Sequence, residues 1–183
     1  TYSPKKTQIS VTKKWVDADN QDGKRSDKVK VVLLADGDVI TDSEAELSDD
    51  NNWAHTWTGL DVNKNGNKIT YTVKEISDLG DYTSETTGSA EDGFVITNSY
   101  IPEKIAISGT KTWDDADNQD GKRPESININ LFADGVKYAS KKVEPDASGN
   151  WKYSFTDLPK YSNKQKIVYT ITEDAVENYS TAI

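Results

Sequence analysis

The 183-residue chain has no cysteine, no methionine and a single histidine. Without thiols it can build neither a disulfide framework nor a thiolate metal site. The missing methionine leads to the expectation that this is an internal or processed piece of a longer polypeptide. Positive charge is scarce as well: 22 Lys and Arg stand against 31 Asp and Glu, for a net charge of −9. That balance argues against nucleic acid and against an anionic membrane surface as partners. Apolar residues make up only 34% of the chain. The longest apolar run is far too short to cross a bilayer, and no signal peptide is present. The one histidine, His55, gives way to Tyr153 at the equivalent place of an internal repeat, so it reads as packing or surface. With no Ser/His/Asp set and no glycine-rich phosphate loop, nothing supports a hydrolytic enzyme, and no cofactor is expected.

What the sequence does contain is that repeat. Ile9-Ser10-Val11-Thr12-Lys13-Lys14-Trp15 returns as Ile107-Ser108-Gly109-Thr110-Lys111-Thr112-Trp113, an offset of 98 residues (111 minus 13). A period of that length predicts two domains, each large enough to hold its own core. The expected boundaries are a linker at 1–8, a first domain at 9–98, a short linker at 99–106 and a second domain at 107–183. Tyr2, Pro4 and Lys6 match Tyr100, Pro102 and Lys104, which suggests a longer array in which neighbouring repeats are each other's partners. The short second linker predicts a restricted relative orientation of the two domains.

Val, Ile, Thr and Tyr run in short alternating patches separated by turn residues, the pattern of antiparallel sheets with one wet face. The turns Ala35-Asp36-Gly37 and Ala133-Asp134-Gly135 close two of these patches. Six or seven short strands per domain point to an all-β fold of two tandem β-sandwiches. In the second copy Tyr179 matches Tyr82 after a one-residue deletion, and nothing corresponds to Phe94–Asn98, so the closing strand of domain two is absent from this sequence. Trp15, Trp53, Trp113 and Trp151 recur at matched positions and are expected to pack on strand faces. A carbohydrate or matrix-protein site would be expected on loops peculiar to one copy.

Alternation places Ile9, Val11, Lys13 and Trp15 on the core face of their strand. Lys13 is thereby directed into an apolar interior, where an ammonium group is costly unless it is paired, neutralised or consumed. Glu75 ends the stripe Ile69, Tyr71, Val73, and Asn98 ends the stripe Phe94, Ile96. Lys111 and Glu173 repeat the first pair at the same separation, 62 residues (75 minus 13; 173 minus 111). Three such residues read two ways. One is a buried ion pair with an amide beside it. The other is a reaction: a desolvated amine attacks the Asn98 carbonyl, Glu75 stabilises the oxyanion and relays protons, and ammonia leaves. The product would be an amide between Lys13 and Asn98.

The combination V-T-K-x-W-x-D-x-D-N-Q-D-G-x-R, then N-x-W, Y-T-V-K-E and I-T-N, occurs across nearly the whole chain. It resembles the Cna B-type repeats of Gram-positive surface adhesins and pilins. The resemblance implies a transthyretin-like or inverse immunoglobulin-like sandwich that serves as a stalk module, extracellular and anchored to the cell wall through a region outside this sequence. It also implies intramolecular Lys–Asn isopeptide bonds with an acidic catalyst. By motif the roles fall on Lys13 and Asn98 as cross-link partners with Glu75 as catalyst, and on Lys111 and Glu173 in domain two, whose Asn is missing. A monomer without a direct host ligand is expected. The loop Asp17-Ala18-Asp19-Asn20-Gln21-Asp22-Gly23 departs from a calcium loop, since its Gly comes one residue late and position twelve is Lys28. Asx-turn chemistry explains it better, and no metal is expected.

Overall fold

The alternation of Ile9, Val11 and Lys13 against Ser10, Thr12 and Lys14 becomes strand β1 (Lys6–Val16) in the computed structural model, which describes residues 1–183. The chain divides into two units, Thr1–Ile101 and Pro102–Ile183. Unit 1 continues with β2 (Lys28–Ala35), β3 (Ala45–Ser48), β4 (Ala54–Asp61), β5 (Tyr71–Glu75), β6 (Thr83–Ser89) and β7 (Gly93–Ser99). One sheet runs β4-β1-β7-β6. The other is centred on β2, which pairs with β3 over Lys28–Val31 and with β5 over Val31–Ala35. Its hairpin turn places Asp36 (φ 52°) and Gly37 (φ 93°) in the left-handed region, which matches the twist of a two-residue hairpin and favours a glycine.

Ile9 and Val11 of β1, Val29, Val31 and Leu33 of β2, Leu47 of β3, Tyr71 and Val73 of β5, and Phe94 and Ile96 of β7 form one buried cluster between the sheets. Each such side chain contributes roughly 1.5–3 kcal/mol on burial. The first and last strands lie side by side: β1 pairs with β7 in parallel, from Val11 opposite Phe94 to Val16 opposite Ser99.

The β1 ladder starts at Lys6, inside the segment expected to be linker. Lys6 pairs with Asp61 and Thr7 with Leu60, ahead of a register shift before Ile9. The backbone N–H of Val62 also donates to the Lys5 carbonyl at 3.1 Å. Main-chain hydrogen bonds carry the strand past its apolar part, and these are invisible to a reading of side-chain pattern.

Unit 2 comprises β8 (Lys104–Lys111), β9 (Ile127–Ala133), β10 (Val136–Val143), β11 (Trp151–Pro159) and β12 (Tyr169–Glu173). β9 lies between β10 and β12, and β8 pairs with β11. β8 likewise begins before the expected Ile107. Its cluster is built from Ile127, Ile129, Leu131, Val143, Trp151, Phe155 and Leu158. Where β1 has ladder partners on both sides, β8 has one. No strand follows Glu173, so the counterparts of both β6 and β7 are lacking, one more than the sequence suggested.

Candidate functional site

Lys13 and Asn98 project from neighbouring parallel strands into the space between the sheets. The register sets Lys13 beside Ile96 and Trp15 beside Asn98, which makes Lys13 and Asn98 diagonal neighbours on the inner face. Glu75 is the last residue of β5 and enters from the opposite sheet. Its Oε2 lies 3.6 Å from Lys13 Nζ, with side chains 0% and 4% exposed. Asn98 Nδ2 donates to the other oxygen, Oε1, at 3.0 Å. The Asn98 carbonyl oxygen is buried with no hydrogen-bond partner. An acceptor left in that state costs about 1–3 kcal/mol, so the site holds one unmet demand for a donor beside a carboxyl group.

The amine is covered by Trp15, whose ring centroid is 4.4 Å from Lys13 Nζ. Trp15 is held edge-on by Trp53 and Tyr82, each at 5.3 Å. Burial pulls the Lys13 amine down to about 8, although the Glu75 charge and hydrogen bonding oppose that shift. A fraction of the amine is therefore a free-base nucleophile near neutral pH.

Lys111 and Glu173 meet in the same way in unit 2. Lys111 Nζ is 3.0 Å from Glu173 Oε2 and 3.1 Å from Oε1, and 4.6 Å from the Trp113 ring. Trp113 stacks edge-on with Trp151 and Tyr179, at 5.3 and 5.0 Å. The Lys111 side chain is 14% exposed against 0% for Lys13, because no strand covers the free edge of β8. All five sequence-derived site residues thus fall into two clusters, and the first holds a complete amine, amide and carboxyl set.

Two features went unread in the sequence. In the first, hydroxyl groups contact both carboxylates: Ser84 Oγ donates to Glu75 Oε2 at 3.2 Å and Thr181 Oγ1 to Glu173 Oε1 at 2.7 Å. In the second, a polar clamp lies beside each tryptophan. Arg25 donates to Asp17 through Nε at 3.0 Å and Nη2 at 2.6 Å, while Tyr82 Oη donates at 2.7 Å and the Asn20 N–H at 3.0 Å. Arg123, Tyr179 and the Asn118 N–H repeat this on Asp115. Each guanidinium carbon also lies 5.6 Å from the ring of Trp15 or Trp113.

The clamp accounts for the Asp-rich loop. Ala18, Asp19 and Asn20 take φ values of 50°, 55° and 58°, a left-handed run that costs roughly 1–2 kcal/mol per residue. The Asp17 side chain caps that run and receives Arg25. Burial alone would raise the Asp17 carboxyl, but the hydrogen bonds from Arg25, Tyr82 and the Asn20 N–H outweigh it and lower it to about 2. Asp17 is therefore already saturated with donors, and no His, Cys, Asp and Glu side chains converge in a set of metal ligands. The paired spacing Asp17…Arg25 and Asp115…Arg123 was the available signal.

Comparison with known proteins agrees with this architecture. The family model of the Cna protein B-type domain matches residues 9–99 and again 107–183. A collagen adhesin of Staphylococcus aureus is 48% identical over 182 residues, covering 100% of this chain and 15% of the adhesin. The crystal structure of two B repeat units of the S. aureus collagen-binding protein has a TM-score of 0.89 at 47% identity. That match covers 100% of this chain and 48% of the solved one. A crystal structure of a single B repeat unit of the same surface protein is 36% identical, with a TM-score of 0.47, covering 97% of this chain and 91% of that one. The two β-sandwich units, each with its inward Lys and Glu, are Cna protein B-type domains, and the chain belongs to that family.

Proposed function

We propose that the chain is a structural spacer segment of a bacterial surface adhesin, and that unit 1 locks itself with an amide bond between Lys13 and Asn98. The spacer reading is supported by similarity to a collagen adhesin and to the two B repeat units of the collagen-binding protein.

The observation that carries the cross-link is the closure of amine, amide and carboxyl in one dry space. Lys13 Nζ and Asn98 Nδ2 contact different oxygens of Glu75, and the Asn98 carbonyl oxygen lacks a donor. In the reacting form the proton shared by the Lys13–Glu75 pair rests on Glu75. Rotation of the Asn98 amide then brings its carbonyl oxygen against the carboxylic acid. The neutral amine adds to Asn98 Cγ and Glu75 protonates the oxyanion; the amine proton then passes through Glu75 to the departing nitrogen, and the hydroxyl returns its proton to Glu75 as the carbonyl re-forms. One C–N bond forms, one breaks, and ammonia leaves. The fold supplies the approach, so translational entropy is not lost at the moment of reaction. Each molecule reacts once, which makes this a maturation step and not turnover. Unit 2 has the amine and the acid without an amide partner.

Proteolytic mapping tests the bond. A branched peptide joining the Lys13 and Asn98 segments is expected, and recovery of both segments only as linear peptides would contradict it.

One observation favours a second reading, direct contact with a partner protein. Val136, Tyr138 and Val168 of unit 2 are 71%, 53% and 64% exposed around the turn at Asp134, where unit 1 carries Asp38, Ile40 and Thr70. Solid-phase binding to a matrix protein that disappears in a Val136→Asp, Val168→Thr variant would support it.

A further inference from the structure

We propose that Ser84 is a positioning residue for the cross-linking reaction of unit 1. On this account it holds Glu75 by one carboxyl oxygen so that the other presents its proton to the Asn98 amide. The inference rests on the reaction proposed above and assigns a part to a residue outside the Lys, Glu and Asn set.

Three observations carry it. The β6–β7 register sets Ser84 directly opposite Asn98, and directly opposed residues of an antiparallel pair project to the same side. Both side chains reach the one carboxyl group of Glu75. Ser84 Oγ donates to Oε2 at 3.2 Å, the oxygen that also faces Lys13 Nζ at 3.6 Å, while Asn98 Nδ2 lies 3.0 Å from Oε1. With two donors directed at Oε2, a proton added to Glu75 is favoured on Oε1, the oxygen turned to the amide. A carboxylic acid free to rotate would offer the proton to either side.

The arrangement recurs where the repeat itself shifts. Tyr82 and Ser84 are matched by Tyr179 and Thr181 at an offset of 97 residues (181 minus 84), one fewer than the 98 that relates Lys13 to Lys111. The hydroxyl moves together with the tyrosine despite the deletion. Thr181 Oγ1 donates to Glu173 Oε1 at 2.7 Å, and Tyr179 Oη to Asp115 at 2.9 Å. In unit 1 Tyr82 is likewise anchored on Asp17. The tyrosine fixes the start of the segment, and two residues later, on the same side of an extended chain, the hydroxyl falls on the carboxyl group. The use of Ser in one copy and Thr in the other points to the hydroxyl as the common requirement.

Ser84 is solvent-exposed on an edge strand, so its replacement leaves the core intact. The test compares Ser84→Thr with Ser84→Val in the full chain, since these side chains have the same shape and differ by the hydroxyl. Newly made protein from a cell-free reaction is followed by intact mass as ammonia is lost. Val is expected to slow the loss on the order of tenfold, the worth of one neutral hydrogen bond in the transition state. Thr is expected to react at the wild-type rate, with equal melting temperatures for the unreacted Thr and Val proteins. Equal rates for Val and wild type would overturn the role of Ser84 and leave the cross-link standing. A wild-type protein that never loses ammonia would overturn the reaction and this role with it.

Discussion

An ammonium group with no solvent exposure, 3.6 Å from one carboxylate, is poorly compensated by that contact alone. Isolated buried ion pairs recover little of their desolvation cost. Consuming the charge in an amide removes that cost and closes a loop of 85 residues (98 minus 13), a stabilisation of roughly 4 kcal/mol by loop-closure entropy. Glu75→Gln is therefore expected to keep full mass, because an amide cannot relay the proton. It should also lose roughly 4 kcal/mol of stability in denaturant titration relative to the matured protein. Asp17 works through charge in another way. Its folded-state value of about 2 lies below the usual 3.8, so the unfolded chain binds the proton more readily. The contribution, about 2 kcal/mol, is complete above roughly pH 4 and fades as the pH falls toward 2. Asp17→Asn should lower stability at neutral pH and flatten the acid limb of a denaturation-midpoint profile between these values. At this scale Lys13, Glu75 and Asn98 were legible, since an ionisable or amide residue ending an apolar stripe is conspicuous. Ser84 was not, because a hydroxyl in an exposed, polar strand carries no such contrast. Arg25 was hidden by a loop whose composition already explained itself as turns.

The paired strands show how one exchange is absorbed by its neighbour. Val11 of β1 stands opposite His55 of β4, and the equivalent pair is Gly109 of β8 opposite Tyr153 of β11. A Cβ added to Gly109 would fall on the Tyr153 hydroxyl and 2.5 Å from its Cζ. The tyrosine thus occupies the room that a valine takes in unit 1. Gly109→Val should destabilise unit 2 by about 1–3 kcal/mol through overpacking. Adding Tyr153→His should recover most of that loss in a double-mutant cycle of thermal unfolding. The sequence hinted at this only as two unrelated mismatches, Val for Gly and His for Tyr, because cross-strand partners come from the register. The apolar alternation identified which residues face inward. It understated how far β1 and β8 extend toward their N-termini, where the β1 ladder runs through Lys6 and Thr7 and the β8 ladder through Lys104 and Ile105.

For the whole of unit 1, the connectivity decides how tension is carried. β1 and β7 are parallel neighbours, so pulling on Lys6 and Ser99 shears the ladder between them. A bond from Lys13 to Asn98 removes residues 14–97 from the load path. In single-molecule stretching, Lys13→Ala should add an unfolding step on the order of 300 Å, the contour length of those residues. The matured protein should lack that step. The two-fold architecture was legible in the sequence, since a constant offset from Ile9 to Glu75 carried the same apolar and turn positions into both copies. The relation of β1 to β7, the basis of the mechanical argument, came only with the topology.

The most direct test is the intact mass of the purified chain under denaturing conditions. A mass one ammonia below that of the sequence is expected, retained in Lys111→Ala and abolished in Lys13→Ala. A full, unreduced mass for the wild-type chain would contradict the account and leave Lys13 and Glu75 as a buried ion pair.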